Sequence, residues 1–111
     1  MITMNATKAG SHQDLYSDAF QAKLNGQPDA ILLDVRTPDE FNSGKIPGAI
    51  NINVMDSSFI EEISSLDKSK TYFIYCLSGG RSGRACAIMA SQGFDVYNLA
   101  GGISSWEGEI C

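Results

Sequence analysis

Thr71-Tyr72-Phe73-Ile74-Tyr75-Cys76-Leu77-Ser78-Gly79-Gly80-Arg81-Ser82-Gly83 is the stretch whose order sets the fold. Its first five residues are β-branched or aromatic throughout, the composition of a strand. A cysteine leaves the strand, a loop with two glycines curls back, and Arg81 opens a helix running from about Ser82 to Gln92, closed by Gly93. A thiol in that place lies among successive backbone N–H groups, an anion-binding concavity. The positive end of the following helix adds to the field and lowers the thiol pKa. Arg81 brings a permanent charge with a fork of donors, and the glycines let the backbone turn without Cβ clashes. This order favours a thiolate at Cys76 and a site able to hold an anionic sulfur or oxygen leaving group.

Upstream, Ala30-Ile31-Leu32-Leu33 is a continuous apolar run of the kind shown by a strand covered on both faces. Thr37-Pro38-Asp39-Glu40 reads as a helix start, with a Thr cap, Pro at the first helical position and Glu three residues after the cap. Gly44 ends that helix, and a turn at Ile46-Pro47-Gly48 leads into a short strand, Ala49 to Ile52. Ser17 is the expected N-cap of a helix through Leu24, stopped by Asn25-Gly26. Ser57 or Ser58 is expected to cap a helix that buries Phe59, Ile60, Ile63 and Leu66. Downstream come a last strand, Asp95 to Leu99, a turn at Gly101-Gly102 and a short helix from Ile103 to Trp106. Strands separated by helical crossovers predict an α/β domain with a mostly parallel sheet covered on both faces. In such sheets the binding crevice lies beyond the carboxyl ends of the strands, where Cys76 falls.

A chain of 111 residues supports one core, not two. Residues 1–12 are polar and unpatterned and read as a flexible tail, leaving 13–111 as the domain. Eight Lys and Arg against 13 Asp and Glu give a charge of −5, without the basic footprint of nucleic-acid binding. Apolar runs of only a few residues rule out a bilayer-spanning segment, and residues 1–8 hold no apolar stretch of signal-peptide length, so a cytoplasmic location is expected. The three cysteines, Cys76, Cys86 and Cys111, include no Cys-x-x-Cys pair, and the single histidine, His12, lies far upstream. Neither a structural metal nor a disulfide framework is expected from that spacing. A cysteine protease, which needs a positioned histidine base, is disfavoured as well.

The segments Asp34-Val35-Arg36-Thr37-Pro38-Asp39-Glu40-Phe41, Gly44-Lys45-Ile46-Pro47-Gly48-Ala49, the Cys76 loop, and Leu99-Ala100-Gly101-Gly102 with Trp106 stand in register from about Leu15 to Trp106. In that order they resemble the rhodanese-homology domain. The resemblance implies a five-stranded parallel sheet with flanking helices, no metal or organic cofactor, and Cys76 as a persulfide-forming nucleophile. In that chemistry a donor, thiosulfate or a persulfide, passes a sulfane sulfur to Cys76, and a thiol or cyanide removes it. Leu77, Ser78, Gly79, Gly80, Arg81 and Ser82 would then bind substrate, while Asp34 and Arg36 would pin the surrounding loops through hydrogen bonds. The expected partners are the small donor and acceptor, with a sulfur-relay protein as an option, and the chain is expected to act as a monomer. Cell-cycle-type dual-specificity phosphatases and related arsenate reductases share the fold but use a Cys-x5-Arg loop. Here four residues separate Cys76 from Arg81, a smaller cradle suited to one sulfur atom rather than a tetrahedral phosphate.

The second loop position, often basic in the family, is Leu77, which removes a cation from the mouth and favours a persulfide over thiosulfate as donor. Lys45, where the family usually has His, reads as a structural change. Cys86 reads as a packed core cysteine, and Cys111 as an incidental terminal thiol that, if mobile, could reach Cys76. Arg84 reads as a solvated charge and Trp106 as a packing anchor. Two alternatives to turnover stay open at this point: a carrier module that hands sulfur only to a docked partner, and a redox sensor pairing Cys76 with Cys86 or Cys111.

Overall fold

The computed structural model describes residues 12–111 of the chain. Five strands, β1 (Gln13–Leu15), β2 (Ile31–Asp34), β3 (Ile50–Asn51), β4 (Thr71–Tyr75) and β5 (Asp95–Leu99), form one sheet in the order β1-β5-β4-β2-β3. Every neighbouring pair is parallel. The helices are α1 (Ser17–Asn25), α2 (Pro38–Ser43), α3 (Phe59–Ser64) and α4 (Gly80–Ser91), followed by a 3-10 turn at Ile103–Ser105. Among the described residues, no helix is long and apolar enough to cross a membrane.

The pleat of β4 sorts its side chains between two cores. Tyr72, Ile74 and Cys76 pack with Phe59 and Ile63 of α3 and with Ala85, Cys86 and Met89 of α4. Phe73 and Tyr75 point the other way, among Phe20 of α1, Ile46, Ile103 and Trp106. Because successive strand residues face opposite sides, an apolar run such as Ile31-Leu32-Leu33 feeds both cores at once. The same parity turns Cys76 toward the side of the sheet that carries α4. Its position one residue past β4 then puts the sulfur at the helix start.

Four strands are visible in the hydrophobic pattern; the fifth, implied by the family resemblance, is Gln13–Leu15 beside β5. It is short, polar and mostly exposed, an edge strand held by backbone pairing rather than burial, so no periodicity announces it. The expected tail at residues 1–12 lies, apart from His12, outside the described residues. Two local expectations are corrected. Ser17 is not the N-cap of α1: Tyr16 holds that place, and the Ser17 hydroxyl instead accepts from the Glu107 backbone N–H at 3.1 Å. Ile60 is 48% exposed rather than buried. Helix α3 turns only Phe59 and Ile63, four apart, toward the sheet, which rotates Ile60 to the solvent side.

Candidate functional site

The Cys76 side chain is almost fully enclosed, with the residue 1% exposed. The Gly79 backbone N–H donates to its sulfur at 3.1 Å and the buried Ser82 hydroxyl donates at 3.3 Å. Burial by itself pushes the thiol up. The Ser82 hydroxyl, with the backbone N–H groups of Ser82, Gly79 and Ser78, outweighs burial and brings the thiol below its ordinary value. This convergence follows from the backbone of Gly79, which caps α4 in the left-handed region at φ +106. An L side chain there would be strained, and its Cβ would lie 3.2 Å from the Gly101 nitrogen. Helix α4 therefore starts at Gly80, two residues earlier than the sequence suggests, so its first turn wraps directly around the sulfur.

A second turn supports the loop from behind. The Ile103 N–H donates to the Cys76 carbonyl at 2.9 Å, and the Ser104 N–H donates to the Leu77 carbonyl at 3.0 Å. Gly102, at φ +63, packs against the Leu77–Ser78 peptide so closely that a Cβ would collide with the Leu77 carbonyl. In the sequence, Gly101-Gly102 marks only a turn. That a glycine is needed for loop-to-loop contact became visible only in three dimensions.

Asp34 and Arg36 form a buried pair beneath the neighbouring loop. Arg36 donates through Nε and Nη2 to the Asp34 carboxylate, with the shortest contact at 2.6 Å, and Nη2 also reaches the Gly44 carbonyl at 2.6 Å. The hydrogen bond to Asp34 holds the guanidinium pKa above its ordinary value. Asn51 donates to the carbonyls of both Asp34 and Arg36 at 2.9 Å, and the Tyr75 hydroxyl accepts from the Ile46 N–H at 3.1 Å. These bonds tie the chain after β2 to the end of α2 and to β3, on the side of the site opposite α4.

Arg81 is not aimed at the sulfur. Its guanidinium donates to both oxygens of Glu40, at 2.7 and 2.9 Å. Glu40 also completes the Thr37 capping box expected from the sequence. Arg81 first, and the Thr37 backbone and hydroxyl after it, hold the Glu40 carboxyl at about 2. In the sequence, Glu40 shows only its helix-capping role. Beside this pair runs a groove of about 350 Å³ lined by Arg36, Asp39, Glu40, Ser43, Gly44 and Leu77. Leu77 is 47% exposed and forms its apolar wall. Ser78 and Gly80 are exposed, and so is Arg84 one turn further along α4.

The other two thiols lie apart from this cradle. Cys86 is fully enclosed in the core under α4, where burial pushes its thiol well up. Cys111 is exposed, but its backbone pairs with Lys45 in both directions, N–H to carbonyl at 2.8 Å and carbonyl to N–H at 3.1 Å. The terminal residue is thus laid along the chain leaving α2 rather than swinging freely.

Comparison with known proteins agrees with the geometry. The model of the rhodanese-like domain matches residues 17–109. A sulfurtransferase of Allochromatium vinosum is 36% identical over 94 residues, covering 84% of this chain and 86% of that protein. A thiosulfate sulfurtransferase of Pseudomonas syringae pv. syringae is 34% identical over 87 residues, covering 78% of this chain and 80% of its own. Among solved structures, a rhodanese-like domain protein from Staphylococcus aureus superposes with a TM-score of 0.76 at 29% identity, covering 87% of this chain and 93% of that one. A rhodanese-related protein from Thermoplasma volcanium reaches a TM-score of 0.79 at 26% identity, covering 90% and 98%. With a parallel five-stranded sheet, a cysteine at the end of its middle strand and relatives named sulfurtransferases, the chain belongs to the rhodanese-like domain family.

Proposed function

We propose that this protein transfers sulfane sulfur, taking it from a thiol persulfide or thiosulfate onto Cys76 and passing it to a thiol or cyanide. The observation that carries the reading is the convergence of the Gly79 N–H and the Ser82 hydroxyl on the Cys76 sulfur. That environment stabilises a thiolate, and the thiolate is the nucleophile. Its lone pair attacks the outer sulfur of a donor R–S–SH. A bond forms from Cys76 Sγ to that sulfur, the donor S–S bond breaks, and its electron pair leaves on RS⁻, which takes up the proton of the transferred S–H; with thiosulfate the leaving group is sulfite. The loop N–H groups then face the terminal sulfur, where the persulfide carries its negative charge. In the second half-reaction an acceptor thiolate attacks the terminal sulfur and Cys76 departs as thiolate, while cyanide would leave as thiocyanate. Sulfur and electrons balance over the two halves without an outside oxidant.

Of the two donors the thiol persulfide fits better. Arg36 and Arg81, the arginines beside the groove, each have a carboxylate partner, Asp34 and Glu40. Leu77 supplies an apolar wall, and Asp39 adds a further negative group. A thiosulfate dianion entering there meets little uncompensated positive charge. The test is intact-protein mass after incubation with thiosulfate and, separately, with a low-molecular-weight thiol persulfide. The expected result is a gain of one sulfur atom, faster from the persulfide, reversed by cyanide and absent in Cys76→Ser. No gain from either donor while all three thiols stay free would overturn the reading.

A further inference from the structure

Outside the loop itself, one buried side chain on β5 reaches the Cys76 cradle. Asn98 is 5% exposed, and its Nδ2 donates to the Asp14 carboxylate on β1 at 2.9 Å and to the Gly79 carbonyl at 3.3 Å. Both neighbours are acceptors only, so the amide has one workable orientation: turned over, its oxygen would face a carboxylate and a carbonyl. In that orientation Oδ1 is buried without a hydrogen-bond partner among the described residues. Proteins normally avoid a buried unpaired acceptor. His12 Nε2 lies 3.3 Å from the same Asp14 carboxylate oxygen.

The acceptor at the loop end occupies a particular corner. Gly79 donates its N–H to the Cys76 sulfur at 3.1 Å, and its carbonyl accepts the first bond of α4 from the Gly83 N–H at 3.0 Å. Glycine is the residue whose backbone turns most freely, so its own sterics do little to keep the N–H on the sulfur. Beside the Gly83 N–H, Asn98 supplies a second restraint on the Gly79 carbonyl, from a β-strand outside the loop and its helix.

We propose that Asn98 is a positioning residue for the Cys76 site: its amide holds the Gly79 carbonyl against β5 and thereby keeps the Gly79 N–H aimed at the sulfur. Asn98 touches neither the sulfur nor a reacting atom. The inference rests on the sulfurtransferase reading for its part in turnover, while the effect on the thiolate is independent of what the thiolate attacks.

The test measures the pH dependence of Cys76 alkylation by iodoacetamide, resolved at the Cys76 peptide by mass spectrometry. Asn98→Leu, with Asn98→Ala alongside as a variant without added bulk, is expected to raise the midpoint by about half a unit to one unit. That corresponds to roughly 3- to 10-fold less thiolate below the midpoint. Asp14→Ala removes the side-chain tie between β1 and β5 but leaves their backbone pairing and the bond to Gly79, so it is expected to lower thermal stability without raising the midpoint. An unchanged midpoint in the Asn98 variants overturns the proposal. So does an equal rise in Asp14→Ala, which would assign the effect to strand pairing. Sulfur uptake by the unaltered protein is scored separately. Uptake with an unshifted Asn98 midpoint removes the positioning role alone, whereas a shifted midpoint without uptake removes the sulfurtransferase reading and leaves the positioning role standing.

Discussion

Replacing Ser82 with alanine tests the thiolate cradle with little collateral damage. The hydroxyl is enclosed, sits 3.3 Å from the Cys76 sulfur and lies in the first turn of α4. A hydrogen bond to a charged group contributes about 1.5–3 kcal/mol. With the loop amides still in place, the lower end applies. One pKa unit corresponds to about 1.36 kcal/mol, so Ser82→Ala should raise the Cys76 pKa by roughly one unit. Below the midpoint this leaves about 10-fold less thiolate. The more basic thiolate is intrinsically faster, by about 3-fold for a Brønsted coefficient of about 0.4–0.5. The net expectation is alkylation about 3- to 4-fold slower below the midpoint and about 3-fold faster above it, so the two pH–rate profiles cross. The assay is the iodoacetamide rate at Cys76 across about pH 5 to 9, the range in which perturbed thiols commonly titrate. In the neutral-thiol form the lost contact costs the fold only about 1 kcal/mol or less. A profile that keeps its midpoint, or moves to lower pH, would refute the assignment of the Ser82 hydroxyl as a thiolate donor.

Two further substitutions probe the charges around the groove. Glu40→Gln keeps the capping box, which accepts Gln as well as Glu, and removes only the ion pair to Arg81. Because the Glu40 carboxyl is held at about 2 against an ordinary 4.5, its stabilisation is complete above 4.5 and is lost as pH falls through about 2. Both partners are partly solvated, so the loss at neutral pH should be about 1 kcal/mol, and denaturant titration should show it vanishing near pH 2. A gap that persists in acid would contradict the pairing, and freeing Arg81 should also improve thiosulfate relative to a persulfide as donor. Asp34→Asn leaves the buried Arg36 charge without its counter-ion, at a cost of about 3 kcal/mol or more. Calorimetry should then find the melting temperature lowered by more than about 10 °C, and a shift of only a few degrees would mean that Arg36 has found another partner.

Much of this architecture is legible in one dimension because it is locally encoded. The β-branched and aromatic run Thr71–Tyr75, the Thr37-Pro38-Asp39-Glu40 cap and the glycines after Cys76 act through propensity and backbone sterics within a few residues. All three sit where their local chemistry puts them. The edge strand Gln13–Leu15 was silent because backbone pairing to β5 needs no hydrophobic signature. Ile60 departs from the apolar pattern because a residue in a short helix faces inward only if the helix axis lies so as to turn it there. The sequence offers Arg81 as a cation for the site because nothing near it in the chain announces Glu40 as its partner.

The sequence by itself determined that a cysteine would end a buried strand, enter a glycine loop and meet the start of a helix, which is enough to call for a thiolate. Tertiary structure alone decided which groups complete that thiolate's surroundings. Glu40 takes the Arg81 charge from 41 residues away, Gly102 lies against the Leu77–Ser78 peptide, and Asn98 joins Gly79 to Asp14, which lies 84 residues from it. The reason is physical: propensities and caps act over a few bonds, whereas these contacts depend on which strands become neighbours, and that order, β1-β5-β4-β2-β3, is not the order of the chain.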